Sequence, residues 1–304
     1  MQFRNLALLF DPIHPETQRA AVQMGAHLRA VSRCILLPAD RHLPGRLEDL
    51  EADAVLNLIT DPQRALDANA VCRMMDIPAA GPETQALMLA MDRMMFKDFL
   101  NIHNLPTPPA YVSRRDIRDI GLDHRNFGFP ARVAPRRSSA GPWTATDPGM
   151  LARVVENIRG MQDDAVVERP VEGSFLYAAL WDGQILGTAE SSTQPDDGRN
   201  MEEIFIPANL PASTVKTAER LAQRVAELLS ARGPMLVTLG QDARAGELVL
   251  GADAAPGLHR DSLFVRIAGA YGLSQRDMAM AMAQHVLNRN SMNREPHIEA
   301  ATSA

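Results

Sequence analysis

The chain has few cysteines, few aromatic side chains and no long apolar run. Only two of its 304 residues are cysteine, and 5% are aromatic. Cys34 and Cys72 lie in apolar segments without a neighbouring cysteine or histidine at metal-ligand spacing, so we expect buried, reduced thiols. No segment is long enough to span a bilayer, and the apolar run at residues 6–10 is too short for a secretory signal. These absences lead us to expect a cytoplasmic protein.

Positive charge is not concentrated anywhere in the sequence. The chain carries 31 Lys and Arg against 37 Asp and Glu, a formal net charge of −6. Its basic residues are scattered and are not interleaved with aromatics, so we do not expect nucleic acid as a partner. Hydrophobic residues make up 46% of the chain, which is enough to bury a substantial core in two or three closely packed subdomains.

The first part of the chain alternates apolar strands with a helical pattern. Apolar runs at Leu6–Phe10, Cys34–Leu37 and Ala54–Ile59 predict strands, and the spacing of residues 20–31 predicts a helix after the first of them. This alternation favours a small parallel, Rossmann-like sheet over residues 1–85. The turn at residues 11–15 contains no glycine, so this sheet lacks the signature of a dinucleotide site.

Later segments predict a mixed arrangement of helices and antiparallel strands. A methionine-rich helical stretch covers residues 87–95, and apolar strands are predicted near residues 129–133 and 165–167. Asp182-Gly183 predicts a hairpin within residues 175–190, and Ala245-Gly246 marks a second strand pair. Amphipathic spacing predicts helices over residues 215–229, within 262–270 and near 274–287. Residues 290–304 are polar, so we expect a disordered tail.

Several short motifs follow one another in a fixed order. Residues 91–93 read Met-Asp-Arg, and Leu-Pro-Thr-Pro follows at 105–108. Residues 133–135 read Val-Ala-Pro and precede Ser138 and Ser139. Glu168 ends a Val-Glu pair ahead of Gly173, and the strand at 248–253 leads into Pro256-Gly257 and Ser262. Together with Glu16 in the first loop, these motifs resemble those of the D-alanine–D-alanine ligases of the ATP-grasp superfamily.

The resemblance implies an α/β fold with a cleft. It implies a Rossmann-like N-terminal subdomain at residues 1–85, followed by an ATP-grasp fold whose central and C-terminal α+β subdomains cover residues 86–185 and 186–289. It also implies a homodimer. The ligand-binding candidates it suggests are Glu16, Arg93, Arg136, Ser138, Ser139, Glu168, Phe175, Gly257 and Ser262. Arg136 and Arg137 ahead of the two serines are compatible with an anion site or with a plain surface charge pair.

The charged residues that such ligases use to hold Mg-ATP are mostly replaced. Family members place two carboxylates, an asparagine and an arginine on two strands. Here those strands carry Thr238, Gly251, Asp253 and Leu236, so Asp253 is the one weak candidate metal ligand. Ala134 replaces a phosphate-binding lysine, Phe175 replaces a ribose-binding glutamate, and the lid lysine is absent from residues 191–199. We therefore expect no intact catalytic set and no certain cofactor.

Three functions remain open at this stage. The first is a non-catalytic protein, a pseudoenzyme, whose cleft binds a small molecule or a protein partner. The second is an ATP-dependent carboxylate–amine ligase that uses Mg-ATP through relocated ligands, with Asp253, Asp242 and Glu247 as candidates. The third is a structural subunit of a larger assembly. The sequence identifies neither the ligand nor the partner.

Overall fold

The computed structural model describes residues 3–115, 128–137, 140–192 and 204–292, with side chains described up to residue 288. Thirteen strands and nine helices lie within these ranges. The strands are β1 Phe3–Phe10, β2 Ser32–Pro38, β3 Ala54–Asn57, β4 Ala79–Ala80, β5 Ala110–Ser113, β6 Ala131–Pro135, β7 Trp143–Ala145, β8 Ala165–Glu168, β9 Phe175–Trp181, β10 Gln184–Ser191, β11 Ile204–Phe205, β12 Pro234–Asp242 and β13 Gly246–Asp253. The helices are α1 Pro15–Leu28, α2 Leu43–Asp49, α3 Pro62–Met74, α4 Thr84–Ala90, α5 Arg93–Ile102, α6 Pro148–Gly160, α7 Ala212–Leu228, α8 Leu263–Ala270 and α9 Gln275–Met292.

The N-terminal strands form a parallel sheet of order β2-β1-β3-β4. Successive residues of β1 point to opposite faces, so Leu6 and Leu8 pack with α1 while Ala7 and Leu9 pack in the core that contains α3 residues. Because helices cover both faces of this sheet, successive residues of its strands are mostly buried or half-buried, and the strands appear in the sequence as continuous apolar runs. The parallel sheet expected from the sequence is confirmed.

A helix cap divides the methionine-rich stretch that the sequence predicts as one helix. Asp92 has an extended backbone, and its side chain accepts hydrogen bonds from the N–H groups of Met94 and Met95 at 3.1 and 2.9 Å. The chain therefore ends α4 at Ala90 and starts α5 at Arg93. A carboxylate that satisfies the first N–H groups of a helix favours a new start over continuation.

The central sheet is antiparallel and has the order β5-β8-β6-β7. Leu151, Val155 and Ile158 of α6 pack against its apolar face. The sequence predicts β6 and β8 correctly but misses β5 and β7, which are only four and three residues long.

The third sheet has the order β11-β10-β9-β12-β13. Helix α7 packs on one face and α8 on the other. The hairpin predicted at Asp182-Gly183 joins β9 to β10, and both turn residues have positive φ, 50° and 76°. The expected subdomain limit at residue 185 falls inside this hairpin, so the limits of the three units stay a proposal.

The loop before β9 lies directly against β12. Gln241 donates its backbone N–H to the carbonyl of Ser174 at 2.8 Å. Gly173 has a φ of +154°, and a Cβ at this position would lie 2.0 Å from the carbonyl oxygen of Gln241. A residue without a side chain is required here, because any other would push the loop off the sheet.

The last described helix, α9, packs against α1. It extends to Met292, so the predicted disordered tail overlaps its end at residues 290–292, and the rest of that prediction lies outside the described residues. Among the described residues, no helix is long and apolar enough to cross a membrane.

Candidate functional site

A cavity of about 140 Å³ lies between the central and third sheets. Helix α5 contributes Arg93 and Lys97, and the central sheet contributes Arg132 and Glu168. Strand β13 forms the opposite side. The remaining described residues that line the cavity are Ala90, Phe96, Ala134, Val166, Leu250, Gly251 and Ala252.

Glu168 pairs with two cations at the edge of this cavity. Its Oε2 lies 2.8 Å from Lys97 Nζ, and its Oε1 accepts a short hydrogen bond from Arg132 Nη1. Burial alone would raise the pKa of Glu168, but the charges of Lys97 and Arg132 outweigh it and hold that pKa below its usual value. Glu168 is therefore an ionised group held by its neighbours.

The ammonium of Lys97 is matched by three acceptors. Besides Glu168, Lys97 Nζ donates to Thr107 Oγ1 and to the carbonyl of Pro108, each at 3.1 Å. A lysine ammonium has three N–H donors, and Lys97 is only 4% exposed. Both Thr107 and Pro108 belong to the Leu-Pro-Thr-Pro motif. The motif thus holds the lysine in a fixed position at the cavity wall.

Two candidate arginines have different surroundings. Arg93 lines the cavity, and its Nε donates to the carbonyl of Pro135 at 3.0 Å. Arg136 instead pairs with Asp92 at 2.8 Å and with Asp164 at 3.6 Å. The hydrogen bond to Asp92 is the main reason that the pKa of Arg136 is raised. Arg136 thus belongs to the ion pairs around the start of α5, and it is not among the lining residues.

The two serines of the expected anion loop lie outside the described residues. Ser138 and Ser139 therefore stay predictions. The lid expected at residues 191–199 also stays a prediction, because only residues 191 and 192 of it are described. Arg137, which precedes the serines, donates its backbone N–H to Asp163 at 2.9 Å and lies 3.5 Å from Asp92.

The positions at which relatives are expected to carry metal ligands lie side by side on β12 and β13. Thr238 pairs with Gly251, and Leu236 pairs with Asp253. Gly251 lines the cavity, whereas Thr238 and Leu236 are not among the lining residues. Leu236 packs instead against the core on the α8 side of the sheet, and Leu250, which does line the cavity, also contacts that core.

Phe175 does not plug the cavity. It is 5% exposed and lies in the core on the α8 side with Leu258 and Phe264. The sequence-based expectation that Ala134, Leu236, Thr238, Gly251 and Phe175 share one cleft therefore holds in the structure only for Ala134 and Gly251, which line the same cavity. Leu236 and Phe175 pack in the core on the α8 side, and Thr238, although it pairs with Gly251, is not among the lining residues.

The proposed replacement metal ligands are far apart. Asp253 and Asp242 stand at opposite ends of the β12–β13 hairpin, about 20 Å apart at the rise of a strand. Asp242 accepts hydrogen bonds from the N–H groups of Arg244 and Ala245 and lies 3.4 Å from Arg169. Glu247 adjoins the same turn. Within the described part of the chain, no three His, Cys, Asp or Glu side chains form a metal-binding group.

The side chain of Asp253 is exposed at the surface, yet nearby protein atoms still displace part of its hydration shell. Its Oδ1 accepts a hydrogen bond from the N–H of Ala255 at 2.9 Å. Desolvation raises its pKa to about 6, and the hydrogen bond lowers that pKa only in part. The exposed surface of this side chain shows that solvent still screens part of its charge.

The remaining candidates meet where α1 begins. Glu16 lies in the first turn of α1, and its charge acts on His259 of the Pro-Gly loop. Gly257 adjoins the His259 ring, while Ser262 caps α8 by accepting from the N–H of Val265 at 3.4 Å. Burial, and then the charge of Arg19, lower the pKa of His259. Glu16, Gly257 and Ser262 are thus near one another, and their role in binding a ligand stays a prediction.

Lys97 and Arg132 are the cavity residues that sequence reasoning left out of its candidates. Arg132 and Ala134 lie two positions apart on β6, so they share one face of the strand. Because Ala134 was expected to face the ligand, the sequence already placed the charge of Arg132 on the ligand-facing side of β6. Lys97 lay four residues after Arg93 on one helix, which places both on one side of α5.

Comparisons with known proteins find relatives in sequence and in fold. No family model matches the chain. It is 25% identical over 256 residues to a D-alanine–D-alanine ligase of Anaeromyxobacter sp. (strain Fw109-5), covering 79% of the chain and 81% of that protein. It is 28% identical over 210 residues to the D-alanine–D-alanine ligase of Syntrophotalea carbinolica, covering 66% and 67%.

Solved structures show the same fold. The structure of the Bacillus anthracis D-alanine–D-alanine ligase complexed with ATP superposes with a TM-score of 0.80 at 15% identity, covering 96% of the chain and all of that protein. The VanG D-Ala:D-Ser ligase of Enterococcus faecalis gives a TM-score of 0.75 at 14% identity. The chain is therefore similar in sequence to D-alanine–D-alanine ligases and has the fold of their solved structures.

Proposed function

We propose that the chain is a non-catalytic ATP-grasp protein whose cleft binds a small molecule other than Mg-ATP. The proposal rests on the ion cluster of Lys97, Arg132 and Glu168. In this cluster both cations pair with the one carboxylate. Phosphoryl transfer depends on cations that face the transferred group. Charges that are already paired inside the protein contribute little to that task.

The strands opposite the ion cluster support the same proposal. Mg²⁺ in nucleotide sites is held by one or two carboxylates and by the phosphates. Gly251 and Thr238 stand where relatives are expected to have carboxylates, and Asp253 lies far from Asp242 along the hairpin. Glu168 is the one acidic residue among the described residues that line the cavity, and two cations already occupy its oxygens.

The volume of the cavity gives a third argument. Small-molecule sites usually measure about 300–1,000 Å³. The cavity here measures about 140 Å³, which is below this range. The present arrangement fits a smaller ligand.

Calorimetric titration with Mg-ATP tests this function. We expect no binding with a dissociation constant below the millimolar range and no phosphate release on adding D-alanine. A D-alanine–D-alanine ligase run in parallel serves as the positive control. Micromolar Mg-ATP binding coupled to D-alanine-dependent phosphate release would refute the proposal.

An ATP-dependent carboxylate–amine ligase is the second candidate. Glu16, Gly257 and Ser262 lie near one another, and similarity to named ligases spans most of both chains. If this candidate holds, Asp253→Asn should abolish phosphate release, whereas Asp242→Asn, at the far end of the hairpin, should leave it unchanged. Equal loss in both variants would count against a role of Asp253 as a metal ligand.

The proposal also includes an oligomeric state. We propose a homodimer, which the resemblance implies. Light scattering at micromolar concentration should give about twice the mass of 33.3 kDa, and a monomer mass would contradict this point alone.

A further inference from the structure

Strand β2 forms one edge of the N-terminal sheet. The sheet has the order β2-β1-β3-β4, so β2 has a neighbour on one side only. Among the strands that the structure describes, none pairs with its other side. A free sheet edge presents backbone N–H and C=O groups that can pair with a further strand.

The hydrogen bond after the end of β2 shows which of its residues face away from β1. Ala39 donates its backbone N–H to the carbonyl of Phe10 at 2.9 Å, so the backbone groups of Ala39 face β1. Because these groups alternate along a strand, those of Ile35 also face β1, whereas those of Cys34 and Leu36 face outward. Within the described part of the chain, nothing bonds to the outward N–H and C=O groups of Cys34 and Leu36.

The two ends of β2 are less open to pairing than its centre. Pro38 has no N–H, and its outward carbonyl accepts from Arg46 Nη1 at 3.1 Å. At the other end, the register with β1 shifts after Ser32, and the carbonyl of Ser32 accepts from Cys34 Sγ at 3.7 Å. Proline and irregular pairing both limit association at an edge. The free groups therefore lie at the centre of β2, one residue on each side of Ile35.

Apolar surface lies beside these free groups. Cys34, Ile35 and Leu36 are each half-buried. A Cβ on Gly25 of α1 would lie 3.7 Å from Leu36 and 3.8 Å from Cys34, so this side of α1 flanks the edge. Val22, about one turn earlier on the same side of α1, is 51% exposed. An apolar edge with unpaired backbone groups favours association with another strand.

We propose that β2 pairs with β2 of a second copy of the chain, antiparallel and about a two-fold axis at Ile35. Cys34 of each copy then lies opposite Leu36 of the other, and the two residues exchange both of their N–H···O=C bonds. Arg33, the charged residue of β2, falls opposite Leu37 of the other copy, so like charges do not face each other.

The symmetry of the edge favours a second copy over an unrelated partner. Its free groups are arranged equally about one residue, so a two-fold axis lets the same segment satisfy itself, and two-fold dimers are the commonest oligomers. The missing N–H of Pro38 falls opposite Ser32, outside the pairs of Cys34 and Leu36. The inference rests on the homodimer of the proposed function and specifies its interface.

Disulfide crosslinking tests the position of the axis. The two Ile35 residues would form a non-hydrogen-bonded pair with Cα atoms about 4.5 Å apart, a separation that a disulfide can span. Ile35→Cys in a Cys34→Ser background should therefore form a covalent dimer when copper–phenanthroline oxidises the thiols. Non-reducing electrophoresis should show most chains as dimer, and a reducing agent should restore the monomer band.

Arg33→Cys in the same background is the matched control. Residue 33 lies on the same face of β2 as residue 35, but in this pairing its two copies are offset by about 13 Å along the strands, which a disulfide cannot span. We expect little covalent dimer from this variant. Equal crosslinking in both variants would overturn the proposed register.

A proline variant tests the backbone pairing. Cys34→Pro removes an outward N–H and leaves the bonds to β1 intact, and edge strands tolerate proline at such positions. Cys34→Ala keeps the N–H and serves as the control, and circular dichroism checks that both variants fold. Light scattering over a concentration series should give a dimer dissociation constant at least about tenfold higher for Cys34→Pro. Equal constants would contradict pairing through β2.

Light scattering of the wild type separates this inference from the homodimer itself. A monomer would refute both. A dimer that Ile35→Cys does not crosslink and Cys34→Pro does not weaken would refute the β2 interface and leave the homodimer standing. Titration with Mg-ATP tests the non-catalytic function independently of either result.

Discussion

The two walls of the cleft differ in the charged side chains that they carry. The wall built by α5, β6 and β8 keeps Lys97, Arg132 and Glu168 and satisfies them with one another. The wall built by β12 and β13 carries Gly251 and Leu250 instead. On the first wall, Lys97, Arg132 and Glu168 pair within the protein, whereas the described lining residues of the second wall carry no charge. Under the proposed function, both features would reduce the attraction of the cleft for a polyphosphate and its metal.

The pKa values of Glu168 and Asp253 differ in the direction expected from this difference between the walls. The pKa of Glu168 is lowered although the side chain is buried, because Lys97 and Arg132 lie against it. The pKa of Asp253 is raised to about 6, because desolvation is not balanced by a cation. The same chemical group is therefore stabilised as an ion on one wall and destabilised as an ion on the other.

Breaking the ion cluster should have the largest effect. Glu168→Ala leaves the buried ammonium of Lys97 and the guanidinium of Arg132 without their shared carboxylate. We expect the free energy of unfolding to fall by about 3–5 kcal/mol. Urea denaturation followed by circular dichroism measures it.

The control for this variant is a surface pair. Glu227 and Arg224 are both more than half exposed and lie 3.1 Å apart. Glu227→Ala should change the unfolding free energy by about 0–1 kcal/mol. A similar loss in Glu168→Ala would show that the buried cluster contributes no more than a surface pair.

The apolar face of the third sheet should give an intermediate effect. Phe175→Leu keeps an apolar side chain but leaves space beside Leu258, so we expect a loss of about 1–2 kcal/mol. Phe205, which is 58% exposed, provides the matched Phe205→Leu control, with an expected change within about 0.5 kcal/mol. Thermal unfolding of both variants checks the difference, and equal shifts would contradict the burial of Phe175.

The smallest effect concerns Asp253 and depends on pH. Its folded pKa of about 6 lies above the usual value of 3.8, so the folded state binds more protons between these two values and wild-type stability falls as pH rises through this window. Asp253→Asn removes this loss. The variant should be more stable than the wild type above pH 6 by about 1 kcal/mol or less, since solvent screening reduces the full effect.

Denaturation of Asp253→Asn and wild type at pH 4 and pH 7 provides the measurement. The difference between the proteins should be near zero at pH 4 and should favour the variant at pH 7. A variant that is less stable at pH 7 would mean that the ionised carboxylate is stabilised by a contact that the present geometry does not contain.

Sequence patterns predict the scaffold better than the site. Apolar runs identify β1 to β3, and Asp182-Gly183 identifies the β9–β10 hairpin, because both signals arise from residues close in sequence. Strand β5 gives too short an apolar run to stand out. Phe175 was expected in the cleft, but which face a side chain occupies depends on the register of β9 with β12.

The ion cluster illustrates what local patterns do not contain. Glu168 follows Lys97 by 71 positions and Arg132 by 36. The pairing of β6 with β8 places Arg132 opposite Glu168, and α5 brings Lys97 to the same carboxylate. The sequence suggested Glu168 as a ligand-binding residue on the strength of its motif. Its partners are decided by tertiary contacts that no short segment specifies.

Gly173 carries a lesson for comparing distant sequences. It resembles a glycine of a nucleotide-binding turn, yet the carbonyl of Gln241 would collide with any side chain at this position. Mutational drift would therefore be blocked here whether or not a nucleotide ever binds. Such glycines are kept because the fold requires them. A search that counts them as signs of function will overestimate how many catalytic residues a distant relative retains.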